Sequence, residues 1–304
     1  NKESLEILAK QVRSDIVHMV HIASSGHLGG PLGFTESFLL AVDKLNLDSN
    51  NPYNPAKDKL VVSAGHYSAL VYSTLTNMFL EDKHDLVVSK FRSLDDVVEG
   101  HVTHHFPFLW DSTGHLGYGP SIAAGHAIAD KLLKYNDTKI LCTMGDGEQT
   151  KGPIPEALRF IKKYCLDNIT ILVDCNKQQI SATTEKVMPM DIKANFIANG
   201  WENVKEINGY DMDEITKALD SNYSAILAQT VMGKGVQEAE GTHEYHGKPI
   251  SGFEQGLEDL GVENKLEHYK KLRESNQTTG FQGRPIIKPV INAGARIVYT
   301  DKSD

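Results

Sequence analysis

The sequence predicts an α/β domain, a doubly wound and mostly parallel sheet flanked by helices. Two observations carry this. Short apolar runs of strand length alternate with longer segments whose apolar residues recur at helical spacing. One stretch also reads as a complete strand, Gly-rich turn, helix and strand, a connection that sets its two strands side by side and parallel.

In chain order, Leu5, Leu8, Val12, Ile16 and Met19 predict an opening amphipathic helix that stops at Ser24-Ser25-Gly26. Gly29-Gly30-Pro31 breaks the chain before a helix from Phe34 to about Leu45. Leu60 to Ser63 reads as a buried strand, and Gly65-His66 leads into a helix through Leu75. The Gly-rich stretch Asp111 to Gly119 precedes a small-residue helix from Pro120 to about Tyr135. Strand Ile140 to Cys142 runs into the turn Met144-Gly145-Asp146-Gly147-Glu148. Pro153 to Tyr164 is a helix with prolines in its first turn and Ile154, Leu158 and Ile161 on one face. Strand Ile169 to Val173 follows and ends in Asp174-Cys175-Asn176. Further strands are expected at Val204 to Ile207 and Ala225 to Thr230, around a helix from Met212 to Ser221 that Asp211 is placed to cap. Glu263 to Arg273 reads as a charged surface helix. Residues 1–274 are expected to form one domain. Residues 275–304 read as a linker, polar and Gly-rich from Ser275 to Pro285, leading through the apolar run Ile286 to Thr300 to the start of a second domain.

The 304 residues, 40% apolar and 23% charged, suit a soluble enzyme with a sizeable core. A net charge of −9 and the lack of any Lys/Arg tract argue against a nucleic-acid surface. No run of 18 apolar residues predicts a membrane span, and the charged N-terminal helix is no signal peptide, so cytoplasm is the expected compartment. Cys142, Cys165 and Cys175 lack metal-ligand spacing and read as small core residues in a reducing compartment.

Two strand ends carry the chemistry. Asp146 closes the first strand of the unit, and Asn176 closes the second, thirty positions later. Parallel neighbours would bring both to one sheet edge, where open α/β sheets bind ligands. A carboxylate, an amide oxygen and a backbone carbonyl suit Mg²⁺ or Ca²⁺, whose remaining positions a diphosphate can fill. Gly145 and Gly147 allow the backbone to approach such phosphates. The structural alternative is a pair of ordinary βα turns. Thirteen histidines are many for this length, and four sit beside glycines at predicted loops: His27, His66, His101 and His246. A single loop histidine is commonly just solvated, whereas four around one site could donate to phosphate oxygens and move protons of hydroxyl groups.

The spacing from Gly145-Asp146-Gly147 to Asn176 resembles the thiamine diphosphate signature. With it, the blocks Ser25 to Gly33, Ser63 to Ser73, Ser112 to Gly119 and His246-Gly247-Lys248-Pro249 stand in the order found in transketolases. Together they look like the amino-terminal, diphosphate-binding domain of that family over roughly residues 3 to 260. The resemblance implies the thiamine-diphosphate-binding fold, and a divalent ion held by Asp146, Asn176 and the carbonyl of Gln178. Gly147 would give its N–H to the diphosphate, with His66 and His246 donating to phosphate oxygens. Gly114 and Leu116 would lie against the cofactor, and Ile180 by the thiazolium. His27, His66, His101 and His246 would face the substrate, His101 at the C1 hydroxyl of a donor ketose, His27 and His246 at its C3 oxygen. The implied reaction moves two-carbon ketol units between sugar phosphates, in the pentose phosphate pathway. The alternatives are deoxyxylulose-phosphate synthase, phosphoketolase and a non-catalytic binding subunit.

Two positions depart from the family pattern. Lys151 stands where transketolases have a Glu near the dimer interface, although Glu156, a second carboxylate of that network, is kept. His115 replaces a residue near the cofactor. The resemblance also implies a complementary pyrimidine-binding domain or subunit, because nothing in the chain matches that domain except its last residues. The chain reads as one subunit of a split transketolase or as the amino-terminal part of a longer one, assembled as a homodimer or heterotetramer and nearly inactive alone.

Overall fold

A computed structural model describes residues 2–221 and 224–285. Five strands, Lys59–Val62 (β1), Ile140–Gly145 (β2), Ile169–Cys175 (β3), Val204–Asn208 (β4) and Ala225–Gln229 (β5), form one sheet in the order β1-β2-β3-β5-β4. Every pairing is parallel. The doubly wound expectation is met, and each apolar run read as a strand is one.

Successive residues of these strands point to opposite faces of the sheet. Leu60, Val62, Leu141, Leu172 and Ile226 enter one core, together with Val12 and Ile16 of the helix Lys2–Ile22, Leu70 and Leu75 of Ser68–Phe79, and Ile215 of Met212–Leu219. Val61, Ile140, Cys142, Ile171, Val173 and Leu227 enter the other, against Ala123 and Ala127 of the helix Gly119–Leu133 and Ile154, Leu158 and Ile161 of Pro153–Lys163. A sheet buried on both faces favours apolar residues on both sides of a strand, which is why the interior strands β2, β3 and β5 appear as largely apolar runs, while the edge strand β4 carries Lys205 and Glu206. Asp211 caps its helix by accepting from the N–H groups of Asp213 and Glu214, as its position predicted.

The structure adds short helices that the periodicity did not predict, at His84–Lys90, Thr184–Val187, Ile192–Ala198 and Phe253–Leu260. Gly29–Gly33, expected only as a break, forms a helical turn with all five residues buried, so tertiary packing overrides the poor helix propensity of Gly and Pro. Cys142 and Cys175 are buried as expected. Cys165 is not a core residue: it is half-buried, with a left-handed φ of 49° in the turn after the helix Pro153–Lys163. Residues 275–285 have no regular secondary structure and lie along the domain, with Thr279 buried and Phe281 packed on the first core. The run Ile286 to Thr300 lies outside the described residues.

Where β1 begins, the Lys59 ammonium meets both carboxylate oxygens of Asp130 at 2.8 and 3.0 Å. Both side chains are nearly fully buried, and Thr138 Oγ1 donates to the same carboxylate at 2.8 Å. Removing one partner strands the other charge in the core. Asp130→Ala is expected to lower the unfolding free energy by roughly 3–5 kcal/mol, read from urea denaturation. A loss within the error of the measurement would show that water reaches the lysine.

Candidate active site

The parallel register of β2 and β3 sets Gly145 opposite Asp174, so Asp146 and Asn176 leave the sheet at one edge. Asp146 is 7% exposed, and its Oδ2 accepts from the Lys177 N–H at 2.6 Å. Lys177 itself sits in the left-handed region at φ 61°, a conformation that costs a non-glycine residue energy and folds the backbone of 176–178 over the end of β2. Burial, and then the neighbouring Asp174 carboxylate, push the Asp146 carboxyl up to about 7. A buried carboxylate in that condition calls for a cation.

Asp174, fully buried in β3, accepts from Tyr67 Oη at 2.5 Å, from Asn176 Nδ2 at 2.9 Å and from Thr230 Oγ1. With its amide nitrogen so engaged, Asn176 presents Oδ1, which also accepts from the Gln178 N–H at 2.9 Å. Glu148 plays the same part on the other side. It is 2% exposed and accepts from Ser63 Oγ at 2.5 Å, the Gly117 N–H at 2.6 Å and the Gly145 N–H at 2.9 Å. One carboxylate thus ties the end of β1, the loop that carries Gly114 and Leu116, and the Gly145-Asp146-Gly147 turn. Gly117 takes a φ of 91°, open to glycine at little cost. Gly65, beside His66, lies so close to the Thr113 carbonyl that a Cβ there would collide with it.

The four Gly-flanked histidines converge from four separate segments. The His27 ring centroid lies 4.8 Å from His66, 5.7 Å from His101 and 5.5 Å from His246, and His66 lies 5.3 Å from His246. All four imidazoles are held below the ordinary histidine range, first by burial. Those of His27 and His66 are lowered further by neighbouring imidazoles, and His27 falls to about 4. They are therefore neutral at pH 7. His27 Nδ1 and His246 Nδ1 are buried with no hydrogen-bond partner.

One cavity of about 450 Å³ gathers these groups. Its lining holds Asp146, Asn176 and Gln178, Gly114, Leu116, Gly147 and Ile180, and His27, His66, His101 and His246, so every residue expected at the metal, cofactor or substrate reaches it. The donor set fits a hard cation: oxygens with one carboxylate among them. No cluster of three or more His, Cys, Asp or Glu suited to a metal exists among the described residues. Unpartnered imidazole nitrogens, Gln178 Oε1 and Gln179 Nε2 are buried polar atoms that a polar ligand would satisfy. Lys151 also lines the cavity, whereas His115 is exposed, its ring 6.2 Å from Tyr118, and does not. Glu156 is exposed.

Sequence reasoning missed Glu148, Asp174, Tyr67 and Thr230. Asp174 had a signal, a charged residue inside an otherwise apolar strand, which requires partners. Glu148 had only its place next to the Gly-rich turn.

Comparison with known proteins agrees with this geometry. The family model for the transketolase thiamine diphosphate binding domain matches residues 5–271. One subunit of the apulose-4-phosphate transketolase of Phocaeicola vulgatus is 33% identical over 285 residues, 90% of this chain and 98% of that protein. Human transketolase is 28% identical over 253 residues, which cover 82% of this chain but 40% of its own length. The crystal structure of transketolase from Campylobacter jejuni superimposes with a TM-score of 0.78 at 31% identity, over 90% of this chain and 47% of that one. The chain thus spans nearly the whole of one relative and less than half of the others. By match and by structure, it belongs to the transketolase family and is built as the family's thiamine diphosphate binding domain.

Proposed function

We propose that the cavity binds thiamine diphosphate with Mg²⁺ or Ca²⁺, and that the chain, joined by a complementary pyrimidine-binding domain or subunit, transfers two-carbon ketol units from ketose phosphates to aldose phosphates. The observation that carries this is the meeting of four neutral imidazoles with the Asp146 and Asn176 strand ends in one cavity. Asp146, Asn176 Oδ1 and the Gln178 carbonyl would hold the cation, which supplies the charge that the buried Asp146 lacks. The Gly147 N–H, His66 and His246 would hold the diphosphate, with Gly114, Leu116 and Ile180 against the cofactor. When bound, thiamine diphosphate supplies a carbon nucleophile and an electron sink for cleaving the C2–C3 bond of a ketose.

The protein's part is binding and proton transfer. His101, the most exposed of the four, would accept or donate at the C1 hydroxyl. The free Nδ1 atoms of His27 and His246 would take the proton of the C3 hydroxyl and return one to the acceptor. An anion held at His66 and His246 favours the charged imidazoles and so raises these weak bases toward working pH.

Residues 1–274 act in this reading as the diphosphate-binding domain, with 275–304 leading on to a second. The seat for the complementary domain would be the cavity mouth, where Ile180 is 71% exposed, Met188 56% and Val187 41%. Such an apolar rim calls for a cover, and a second domain closing on it would exclude water from the reaction. The Phocaeicola relative is named as one subunit of its enzyme, which supports a split enzyme here, as a heterotetramer, with a homodimer as the other form. Reversible ketol transfer on sugar phosphates assigns it to the pentose phosphate pathway, in the cytoplasm. Among the described residues no helix is long and apolar enough to cross a membrane.

Titration calorimetry of thiamine diphosphate with Mg²⁺, into the chain alone and with its complementary domain, tests the core of this reading. Binding should appear or tighten with the partner and vanish in Asp146→Ala; no binding in either condition would sink the proposal. Glu148→Ala should leave the Ser63, Gly117 and Gly145 donors unpaired, lowering stability by roughly 2–4 kcal/mol and weakening cofactor binding. Wild-type affinity in that variant would mean that the Gly114 loop needs no anchor. The pH dependence follows from His27. Its folded pKa of about 4 lies below the unfolded value of 6.5, so below 6.5 the unfolded chain takes up a proton that the folded one refuses. Stability should therefore fall as pH drops from 6.5 toward 4, and less steeply in His27→Gln. An unchanged slope in that variant would assign the loss to other groups.

A further inference from the structure

Residues 92–111, which carry His101, contain no helix or strand beyond a single bridge from Leu109 to Leu60. On its inner side this loop is held near the cavity: Tyr72 Oη donates to the His101 carbonyl at 2.8 Å, and the Val102 N–H donates to the Gly65 carbonyl at 2.9 Å. The His101 side chain has no hydrogen-bond partner among the described residues, and its ring meets His27 edge-on at 5.7 Å, so the path of the backbone largely sets its position.

On its outer side the loop is held by a segment distant in sequence. The Thr279 N–H and Oγ1 donate to the two carboxylate oxygens of Asp96 at 2.7 and 2.6 Å, on the stem before His101. Asp96 also caps its own turn through the Val97 N–H at 2.7 Å. On the stem after His101, the Phe281 ring packs edge-on against Phe106 at 5.1 Å, and the Arg284 N–H donates to the His104 carbonyl at 3.3 Å. Gly283, at φ 72°, approaches the His105 backbone so closely that a Cβ would meet His105 Cα at 2.7 Å. The segment is itself anchored where it begins, because the fully buried Lys90 ammonium donates to the carbonyls of Arg273 and Ser275 at 3.0 and 2.9 Å. All of this lies beyond residue 271, where the family match ends.

We propose that residues 279–284 form a brace across both stems of the His101 loop, and that Thr279 and Phe281 are positioning residues for His101, a role that rests on His101 facing the substrate in the function proposed above. None of residues 279–284 lines the cavity. The brace acts by limiting the excursions of an irregular loop whose stiffness must come from its contacts. A carboxylate gripped twice by one residue fixes the first stem in two directions, and the ring contact with the close backbone approach of Gly283 fixes the second.

Hydrogen exchange on the chain as it stands is the first arm of the test. Thr279→Val removes the hydroxyl bond to Asp96 and should speed exchange of the amides of 97–106 about tenfold or more, with the β3 amides unchanged. Thr279→Ser should restore wild-type exchange, and Phe281→Ala should reproduce the valine effect from the other stem. The second arm, in the assembly with the complementary domain, reads KM for the donor ketose. Thr279→Val should raise it several-fold, with thiamine diphosphate affinity within twofold of wild type. Exchange at 97–106 unchanged in both variants, or raised equally across the whole domain, would overturn the brace. A wild-type chain that bound no thiamine diphosphate would remove the proposed function, and the exchange arm would still decide whether the brace holds the loop.

Discussion

The site is organised by a carboxylate that has no access to water. Asp174 sits in β3, the central strand, and burial lifts its carboxyl to about 6 even with three donors on it. A charge left without donors at this position would be strongly destabilising, which is why three donors meet it. Those donors come from the turn after β1, from the strand end itself and from the residue after β5. Satisfying Asp174 therefore fixes three segments relative to one another. The amide of Asn176 is turned so that its oxygen points away from Asp174, and Tyr67 holds the turn that presents His66. Glu148 repeats the device between β1, the Gly114 loop and the Gly-rich turn. Two buried acids thus clamp the edge of the cavity that, in the proposed function, would receive phosphate and metal.

Much of the fold was legible because burial on both faces leaves an unmistakable trace. An interior parallel strand has no solvent face, so β2, β3 and β5 appear as short, largely apolar runs, whereas the edge strand β4, Val-Lys-Glu-Ile-Asn with only Ile207 buried, leaves a weaker trace. The helix Pro153–Lys163 was equally plain, since it buries a single stripe, and Lys2–Ile22 was found from its apolar spacing although every residue from Val12 to Val20 is buried. The short helices at His84–Lys90, Ile192–Ala198 and Phe253–Leu260 were not, since two turns give too little periodicity to stand out. Gly29–Gly33 was hidden for a different reason: its helical turn exists only because all five residues are packed inside the domain.

The candidate site divides the same way. Asp146, Asn176 and the four histidines could be named because each lies beside glycine or at a strand end, where backbone geometry announces itself in residue type. Glu148 could not, because its importance comes from three donors contributed by segments far apart in sequence. The brace was hidden more deeply still. The composition of Ser275 to Pro285 is that of a linker, polar and rich in glycine. Yet Gly283 is a glycine because the His105 backbone leaves no room for a side chain, and Thr279 is polar because it faces a carboxylate. Composition records that a segment lacks regular structure; it does not record whether the segment is held.

Charge sets the remaining condition. The pocket edge holds three buried carboxylates, Asp146, Glu148 and Asp174, each with its pKa raised by burial, in a chain of net charge −9. A diphosphate brought to such an edge meets repulsion that four neutral imidazoles cannot offset, since at pH 7 they donate hydrogen bonds and carry no charge. Among the described residues Lys151 is the one lysine or arginine that lines the cavity, and it is exposed. In the proposed function a divalent ion held by Asp146 would remove the conflict, because it would give the buried carboxylate the opposite charge it lacks and offer the diphosphate a cation in place of a like charge. Metal and diphosphate are thus expected to bind as one unit, each weak alone, because the same uncompensated carboxylate that attracts the ion repels the phosphate.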